Sequence, residues 1–133
     1  QEFRELEKTE LYNWAGRTIY IAEDELTSYQ FLEILLEKTQ VNIVHAANGV
    51  ELIDLLKKQI PDLILLDINM PEMNGKDVLK WIHKHDMKVR VIAQTAYSLP
   101  EDIRYLKDLG CSEHIAKPVQ KDELLLKISK YFD

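Results

Sequence analysis

The stretch Leu63-Ile64-Leu65-Leu66-Asp67-Ile68-Asn69-Met70-Pro71 decides the fold of this chain. Four consecutive apolar residues are typical of a strand that is buried on both faces, as the strands of parallel sheets are. The carboxylate of Asp67 stands where that strand should end. Since ligands of parallel α/β sheets bind at the carboxyl ends of the strands, the stretch predicts a central strand that presents an acid to a binding site.

Polar side chains end three further apolar runs in the same way. The runs cover residues 19–22, 89–93 and 115–116, and the polar residues that follow them are Glu23, Asp24, Thr95 and Lys117. In a parallel sheet the carboxyl ends of the strands lie at one edge. We therefore expect these four residues and Asp67 to converge on a single site.

The whole chain alternates between apolar runs of strand length and segments of helical period, five times in all. This pattern predicts an α/β fold, a parallel sheet with helices on both faces. The predicted strands cover residues 19–22, 41–45, 63–67, 89–93 and 114–116. Four predicted helices begin near Leu26, Gly49, Gly75 and Pro100, and a last amphipathic helix has an apolar side formed by Leu124, Leu125, Ile128 and Phe132. Pro100 suits the first turn of its helix, and Gly110 suits a C-terminal cap.

Length and charge limit the functions that the chain can have. A chain of 133 residues fits one domain, and its net charge of −6 opposes direct binding to nucleic acid. It carries no secretory signal and no apolar stretch of membrane-spanning length, so we expect a cytoplasmic domain without membrane contact. The lone Cys111 is expected to be a packed thiol.

The first 15 residues differ from the rest because they are rich in charge and lack a strand pattern. We interpret residues 1–15 as a linker or extension and residues 16–133 as the domain. Two possibilities remain open for the extension: its aromatic residues cover an edge of the sheet, or it is the tail of an upstream domain.

Carboxylates brought close together repel one another unless a cation compensates them, so the acidic cluster predicts a metal site. Its all-oxygen donors favour Mg²⁺ over metals that prefer thiolate or imidazole. A carboxylate beside Mg²⁺ can attack phosphorus to form an aspartyl phosphate. Asp67 is the candidate nucleophile, with Lys117 and Thr95 as a cation and a hydroxyl for the phosphoryl oxygens.

These residues, in this order, give the chain a clear resemblance: it resembles the receiver domain of bacterial two-component response regulators. The resemblance covers about residues 17–133 and rests on four motifs. They are Ile21-Ala22-Glu23-Asp24-Glu25, the stretch from Leu65 to Gly75, Thr95-Ala96 and Ala116-Lys117-Pro118.

The resemblance implies a flavodoxin-like fold with strand order 2-1-3-4-5 and a cis peptide bond before Pro118. It implies phosphorylation of Asp67 by a histidine kinase or a histidine phosphotransfer protein, with Mg²⁺ held by Asp24, Asp67 and the carbonyl of Asn69, and with Glu23 acting through water. It also implies a switch in which Thr95 moves toward the phosphoryl group and His114 turns inward, so that the surface of the fourth helix, fifth strand and fifth helix changes. The family also implies that the domain could form a dimer on phosphorylation.

The chain departs from the family pattern at a few positions. Glu23 replaces the commoner Asp, and His114 stands where Tyr or Phe is usual. Asn69 and Tyr97 occupy positions that tune the lifetime of the phosphate in this family, but the sequence does not give that lifetime.

Two other functions compete with a phosphoacceptor. A Mg²⁺-dependent aspartyl-phosphate phosphatase needs a second acid two residues after the nucleophile, where this chain has Asn69. A receiver-like scaffold that is never phosphorylated predicts the loss of an acid, Thr or Lys from the site, and none is missing. A stand-alone regulator and the receiver of a hybrid histidine kinase both remain open as the source of the chain, and the junction near Trp14 favours the hybrid kinase.

Overall fold

The computed structural model describes residues 12–96 and 99–133, which form one parallel sheet with helices on both faces. Its strands are β1 (Thr18–Ala22), β2 (Asn42–Ala46), β3 (Leu63–Asp67), β4 (Arg90–Thr95) and β5 (Glu113–Ala116). Its helices are α1 (Leu26–Leu36), α2 (Gly49–Lys58), α3 (Gly75–Lys84), α4 (Pro100–Asp108) and α5 (Lys121–Phe132). The strand order β2-β1-β3-β4-β5 confirms the predicted flavodoxin-like fold.

Strand β3 occupies the centre of the sheet, and every one of its residues is buried. It pairs in parallel with β1 on one side and with β4 on the other. The apolar run of this strand needs cover on both faces, and the crossover helices supply it. Asp67 is the last residue of the strand, so the predicted position of the acid is correct.

Two apolar clusters fill the faces of the sheet. Leu63 and Leu65 of β3 belong to the cluster that α1 and α5 cover, whereas Ile64 and Leu66 belong to the cluster that α2 and α3 cover. This division follows from the period of two along a strand, which sends alternate side chains to opposite faces. The sheet thereby divides its own core into two layers.

Local sequence signals explain where several helices begin and end. Asn48 and Asn74 cap α2 and α3, because each side-chain oxygen accepts a hydrogen bond from the backbone N–H three residues on. Pro100 opens α4, and Gly110 follows its end with a φ of +100°, a left-handed conformation that costs glycine little. These two ends agree with the sequence-based predictions.

The remaining boundaries differ from the predictions by one or two residues. The largest difference is in β4, which runs to Thr95 rather than stopping at residue 93. Gln94 and Thr95 are polar, so the apolar pattern ended too soon, but both side chains are buried and both residues pair with β5. Pairing with neighbouring strands outweighs the polarity of these side chains.

The segment just before β1 packs against the far end of α5. Trp14 is 2% exposed, its ring meets that of Phe132 edge to face at 5.3 Å, and its indole N–H donates to Asp133 Oδ1 at 3.2 Å. Its backbone N–H donates to the carbonyl of Thr39 at 2.7 Å. The division of the chain at residue 16 therefore stays a proposal, with Trp14 inside the packed unit and residues 1–11 outside the described part.

Candidate phosphoacceptor site

The centre of the candidate site is an ion pair between a buried acid at the end of β3 and a partly exposed lysine after β5. The Nζ atom of Lys117 lies 2.9 Å from Oδ1 of Asp67, whose side chain is 2% exposed. The backbone N–H of Asn69 donates to the same oxygen at 3.0 Å. Two donors on one oxygen fix the orientation of the carboxylate, so Asp67 is held in place before any ligand arrives.

Two further acids from the end of β1 complete the cluster. One carboxylate oxygen from each of Glu23, Asp24 and Asp67 lies within 4.8 Å of the others. Asp24 is exposed, whereas Glu23 is buried. Burial, and then the hydrogen bond and negative charge of Asp67, raise the pKa of Glu23 to about 8. In the metal-free protein, Glu23 therefore keeps its proton at neutral pH.

The donor set fits Mg²⁺. It consists of carboxylate oxygens alone, and the exposure of Asp24 leaves room for the water molecules that Mg²⁺ retains. No histidine or cysteine belongs to this group among the residues that the structure describes. A cation here would favour the ionised form of Glu23 and so oppose the rise of its pKa, since its positive charge would compensate the negative charge of Asp67.

A close backbone contact shapes the loop after Asp67. Gly75, the first residue of α3, donates its N–H to the carbonyl of Ile68 at 3.0 Å. A Cβ atom at Gly75 would lie 2.7 Å from Ile68 Cα and 2.8 Å from the carbonyl oxygen of Asp67. Only glycine lets the start of α3 approach the end of β3 this closely.

Thr95 lies on the neighbouring strand at the same edge of the sheet. It is buried, and its carbonyl accepts a hydrogen bond from the backbone N–H of Lys117 at 3.0 Å. The peptide bond from Lys117 to Pro118 is cis, as the resemblance to receiver domains implied. The structure thus brings the five polar residues at the ends of four strands to one edge of the sheet.

Comparison with known proteins identifies the family. The sequence model of one protein family, the response regulator receiver domain, matches residues 19–129 of the chain. The chain belongs to this family. It is a receiver domain of two-component signalling, and such domains are phosphoacceptors.

Three relatives illustrate the likeness. The polar-differentiation response regulator DivK of Brucella anthropi is 32% identical over 117 residues, which cover 86% of this chain and 95% of DivK. Sporulation initiation phosphotransferase F of Bacillus subtilis is 36% identical over 113 residues, which cover 85% of this chain and 91% of the relative. The solved receiver domain of a signal transduction histidine kinase from Syntrophus aciditrophicus is 31% identical, with a TM-score of 0.79 and coverage of 88% and 90%.

His114, the predicted switch residue of this receiver, is half-buried on β5 opposite Ala93 of β4. Its neighbour Ile115 faces the α1/α5 side, so His114 faces the other side of the sheet. Burial, with the positive charge of Lys127, lowers the pKa of its imidazole. The lowered pKa favours the neutral form of His114. The switch role of this residue stays a prediction.

Other polar residues of the receiver have structural contacts. His45 donates from Nε2 to the carbonyl of Glu23 at 2.7 Å and stacks on Tyr29. His83 and His85 are exposed on α3 and its cap, and Cys111 is buried with a pKa that burial raises. Tyr97, expected to tune the phosphate lifetime, lies outside the described residues.

Gln94 is a further buried polar residue of the receiver, and it is not among the site residues predicted from the sequence. It is 2% exposed, pairs with Asp67 across the sheet, and lines a cavity of about 320 Å³ together with Glu23 and Lys117. The signal was present in the sequence, because an amide interrupts the end of an otherwise apolar run. A rule that looks for polar residues only after such runs does not include a residue that interrupts one.

Proposed function

We propose that this receiver accepts a phosphoryl group from phosphohistidine onto Asp67, with Mg²⁺ as its cofactor. The observation that carries the proposal is the buried Asp67 carboxylate with the Lys117 amine at 2.9 Å and two further acids within 4.8 Å. A nucleophile, a cation and oxygen ligands for a metal thus lie in one site.

In the proposed reaction, an oxygen of Asp67 attacks the phosphorus atom, and the bond from phosphorus to the histidine nitrogen breaks. The histidine leaves as neutral imidazole when its other ring nitrogen carries a proton, and Asp67 becomes an acyl phosphate. Water later attacks the same phosphorus, releases phosphate and restores Asp67. The domain is therefore not a turnover enzyme but promotes its own phosphorylation and dephosphorylation.

The residues around Asp67 position the phosphoryl group and balance its charge. Asp24, Asp67 and the carbonyl of Asn69 would hold Mg²⁺, and Glu23 would contact it through water. Bound Mg²⁺ supplies positive charge to the phosphoryl oxygens. Lys117 provides a second cation, and the hydroxyl of Thr95 provides a hydrogen bond that forms only with the phosphorylated site.

The output of the domain would be a shift between two conformations. Phosphate favours the conformation in which Thr95 reaches it, because only that conformation gains the contact. His114 would turn inward at the same time and change the surface of α4, β5 and α5, where a phosphorylation-dependent dimer would form. NMR shifts of α4 and β5 on addition of beryllofluoride and Mg²⁺ test this switch, and unchanged shifts there would remove it.

The proposed partners follow from the family. The donor is a histidine kinase or a histidine phosphotransfer protein, and the setting is cytoplasmic. Among the described residues, the structure has no helix with the length and apolar character required to cross a membrane. Relatives include both response regulators and the receiver of a histidine kinase, so the intact gene product decides between a stand-alone regulator and a hybrid kinase.

Labelling with a small phosphodonor tests the acceptor. We expect incubation with Mg²⁺ and acetyl phosphate to place one acid-stable, base-labile phosphate on Asp67, located by mass spectrometry. Asp67→Asn should abolish labelling, and Asp24→Asn should reduce it about tenfold or more, because metal binding weakens. Asp54→Asn, an exposed acid on α2, is the matched control and should label normally. Normal labelling of Asp67→Asn would refute the assignment.

A further inference from the structure

The carboxamide of Gln94 carries an unsatisfied donor beside the phosphoacceptor. Its Nε2 atom is buried and has no hydrogen-bond partner within residues 12–96 and 99–133. Almost all buried polar groups in folded proteins are hydrogen-bonded, because a buried amide without a partner has lost its water and gained nothing. Methionine or leucine would fill the same space without this cost. The amide N–H is therefore available to an acceptor that the described residues do not provide.

The strand register places Gln94 next to Asp67. The two residues are Cα partners across β3 and β4, and each side chain is 2% exposed. Asp67 lies two residues after Leu65 on β3, and Gln94 lies two residues after Ile92 on β4. Leu65 and Ile92 both belong to the cluster that α1 and α5 cover. Since alternate residues of a strand share a face, the carboxylate and the carboxamide lie side by side on the same face of the sheet.

The surroundings of Gln94 are those of the phosphoacceptor site. Gln94, Glu23 and Lys117 line one cavity of about 320 Å³, and the α1 residues Thr27 and Phe31 also contribute to its lining. Lys117 is also the ion-pair partner of Asp67. The cavity thus opens beside the atoms that would receive the phosphoryl group.

We propose that Gln94 is a phosphoryl-binding residue whose Nε2–H donates a hydrogen bond to an oxygen of the phosphoryl group on Asp67. This proposal rests on the proposed function. Neighbouring strands are about 4.8 Å apart, and a phosphoryl group extends beyond the carboxylate, which brings its oxygens within range of a donor on the adjacent side chain. The phosphoryl group also adds three oxygens that accept hydrogen bonds strongly, together with a negative charge.

The consequence is a preference for the phosphorylated state. The hydrogen bond exists only after phosphotransfer, whereas the cost of the unpaired amide is present only before it. Both effects favour the phosphorylated protein. Gln94 would therefore tighten binding of the phosphoryl group without adding to the stability of the resting domain.

Binding of beryllofluoride, a stable substitute for the phosphoryl group, tests the role of Gln94. With saturating Mg²⁺, we expect Gln94→Met to bind beryllofluoride about tenfold more weakly than the wild type, and its unfolding midpoint without ligand to be equal or higher. Leu32→Met, which changes the apolar packing of the same cavity without touching a donor, is the matched control and should bind like the wild type. The ¹⁹F spectrum of the bound fluorides should change in Gln94→Met and not in Leu32→Met.

The outcomes separate the two proposals. If the wild type does not bind beryllofluoride, the proposed function fails. If the wild type binds and Gln94→Met binds equally well with the same ¹⁹F spectrum, only the role of Gln94 is overturned. If Gln94→Met does not fold, the side-chain ¹⁵N–¹H resonances of Gln94 in the wild type decide: a downfield proton shift on binding supports the hydrogen bond, and an unchanged resonance refutes it.

Discussion

At the scale of single residues, Lys117 compensates a carboxylate that would otherwise be buried without a cation. Replacing Lys117 with Met leaves Asp67 beside Glu23 with no positive charge, since Lys117 is the ion-pair partner of Asp67 in the described structure. We expect the free energy of unfolding at pH 7.5 to fall by about 1–3 kcal/mol, measured by urea denaturation.

Lys130 provides the control for this change. Its amine lies 3.3 Å from Glu113 Oε2, and its side chain is more than half exposed. An exposed ion pair contributes little, so Lys130→Met should change stability by no more than about 0.5 kcal/mol. If the two substitutions lowered the free energy of unfolding equally, the ion pair with Asp67 would contribute no more to stability than an exposed ion pair does.

The protonation of Glu23 makes stability depend on pH. Its pKa is raised in the folded protein to about 8 from an ordinary value of 4.5, so between these values the folded state binds more protons than the unfolded state. The contribution of Glu23 is complete below pH 4.5 and is lost as pH rises through 8. We expect the metal-free domain to lose about 2 kcal/mol between pH 6 and pH 8.5 from this group.

Glu23→Gln removes the titrating proton but keeps the size of the side chain. In urea unfolding with a chelator present, the variant should lose less stability over the same pH interval than the wild type does. Parallel pH profiles for the two proteins would show that Glu23 does not titrate in this range. Binding of Mg²⁺ should release a proton from the wild type near neutral pH, a change that calorimetry in different buffers measures.

At the scale of elements, the contact between the end of β3 and the start of α3 depends on Gly75. A methyl group there would meet backbone atoms of Asp67 and Ile68 at 2.7–2.8 Å, and backbone cannot move aside as a flexible side chain can. We expect Gly75→Ala to destabilise the domain by about 1–3 kcal/mol and to slow labelling of Asp67, because the loop that orients the carboxylate must shift.

Gly110→Ala separates crowding from backbone strain. Gly110 has a φ of +100° but no atom within 4 Å of the position of a Cβ. Alanine there is strained by its φ alone, so it should cost about 1 kcal/mol in stability and leave the rate of labelling unchanged. If Gly110→Ala also slowed the labelling of Asp67, the effect of Gly75→Ala would reflect a general loss of stability and not a shift of the loop after Asp67.

At the scale of the whole molecule, Trp14 joins parts of the chain that are far apart in sequence. It contacts the turn after α1 through Thr39 and the end of α5 through Phe132 and Asp133. We expect Trp14→Ala to lower the free energy of unfolding by about 3–5 kcal/mol, the usual cost of removing a buried aromatic ring. Trp81, half-exposed on α3, is the control, and its alanine variant should lose clearly less.

The sequence predicted the fold and the meeting of the strand ends because both follow from simple periodic rules. The run from Leu63 to Leu66 requires burial on two faces, and parallel strands bring their carboxyl ends to one edge. Features that depend on atomic distances lay beyond such rules. They include the proton on Glu23, the unpaired amide of Gln94 and the burial of Trp14, each of which needs the positions of residues distant in sequence.

The contact between Trp14 and Asp133 also bears on how this unit combines with other polypeptides. The indole nitrogen and the carboxylate oxygen are 3.2 Å apart, so the segment before β1 lies beside the end of α5. Domains with adjacent termini tolerate circular permutation and insertion into surface loops of a host protein. A short peptide joining these two segments would allow new ends to be opened in an exposed loop, with the sheet and the polar residues at its edge unchanged.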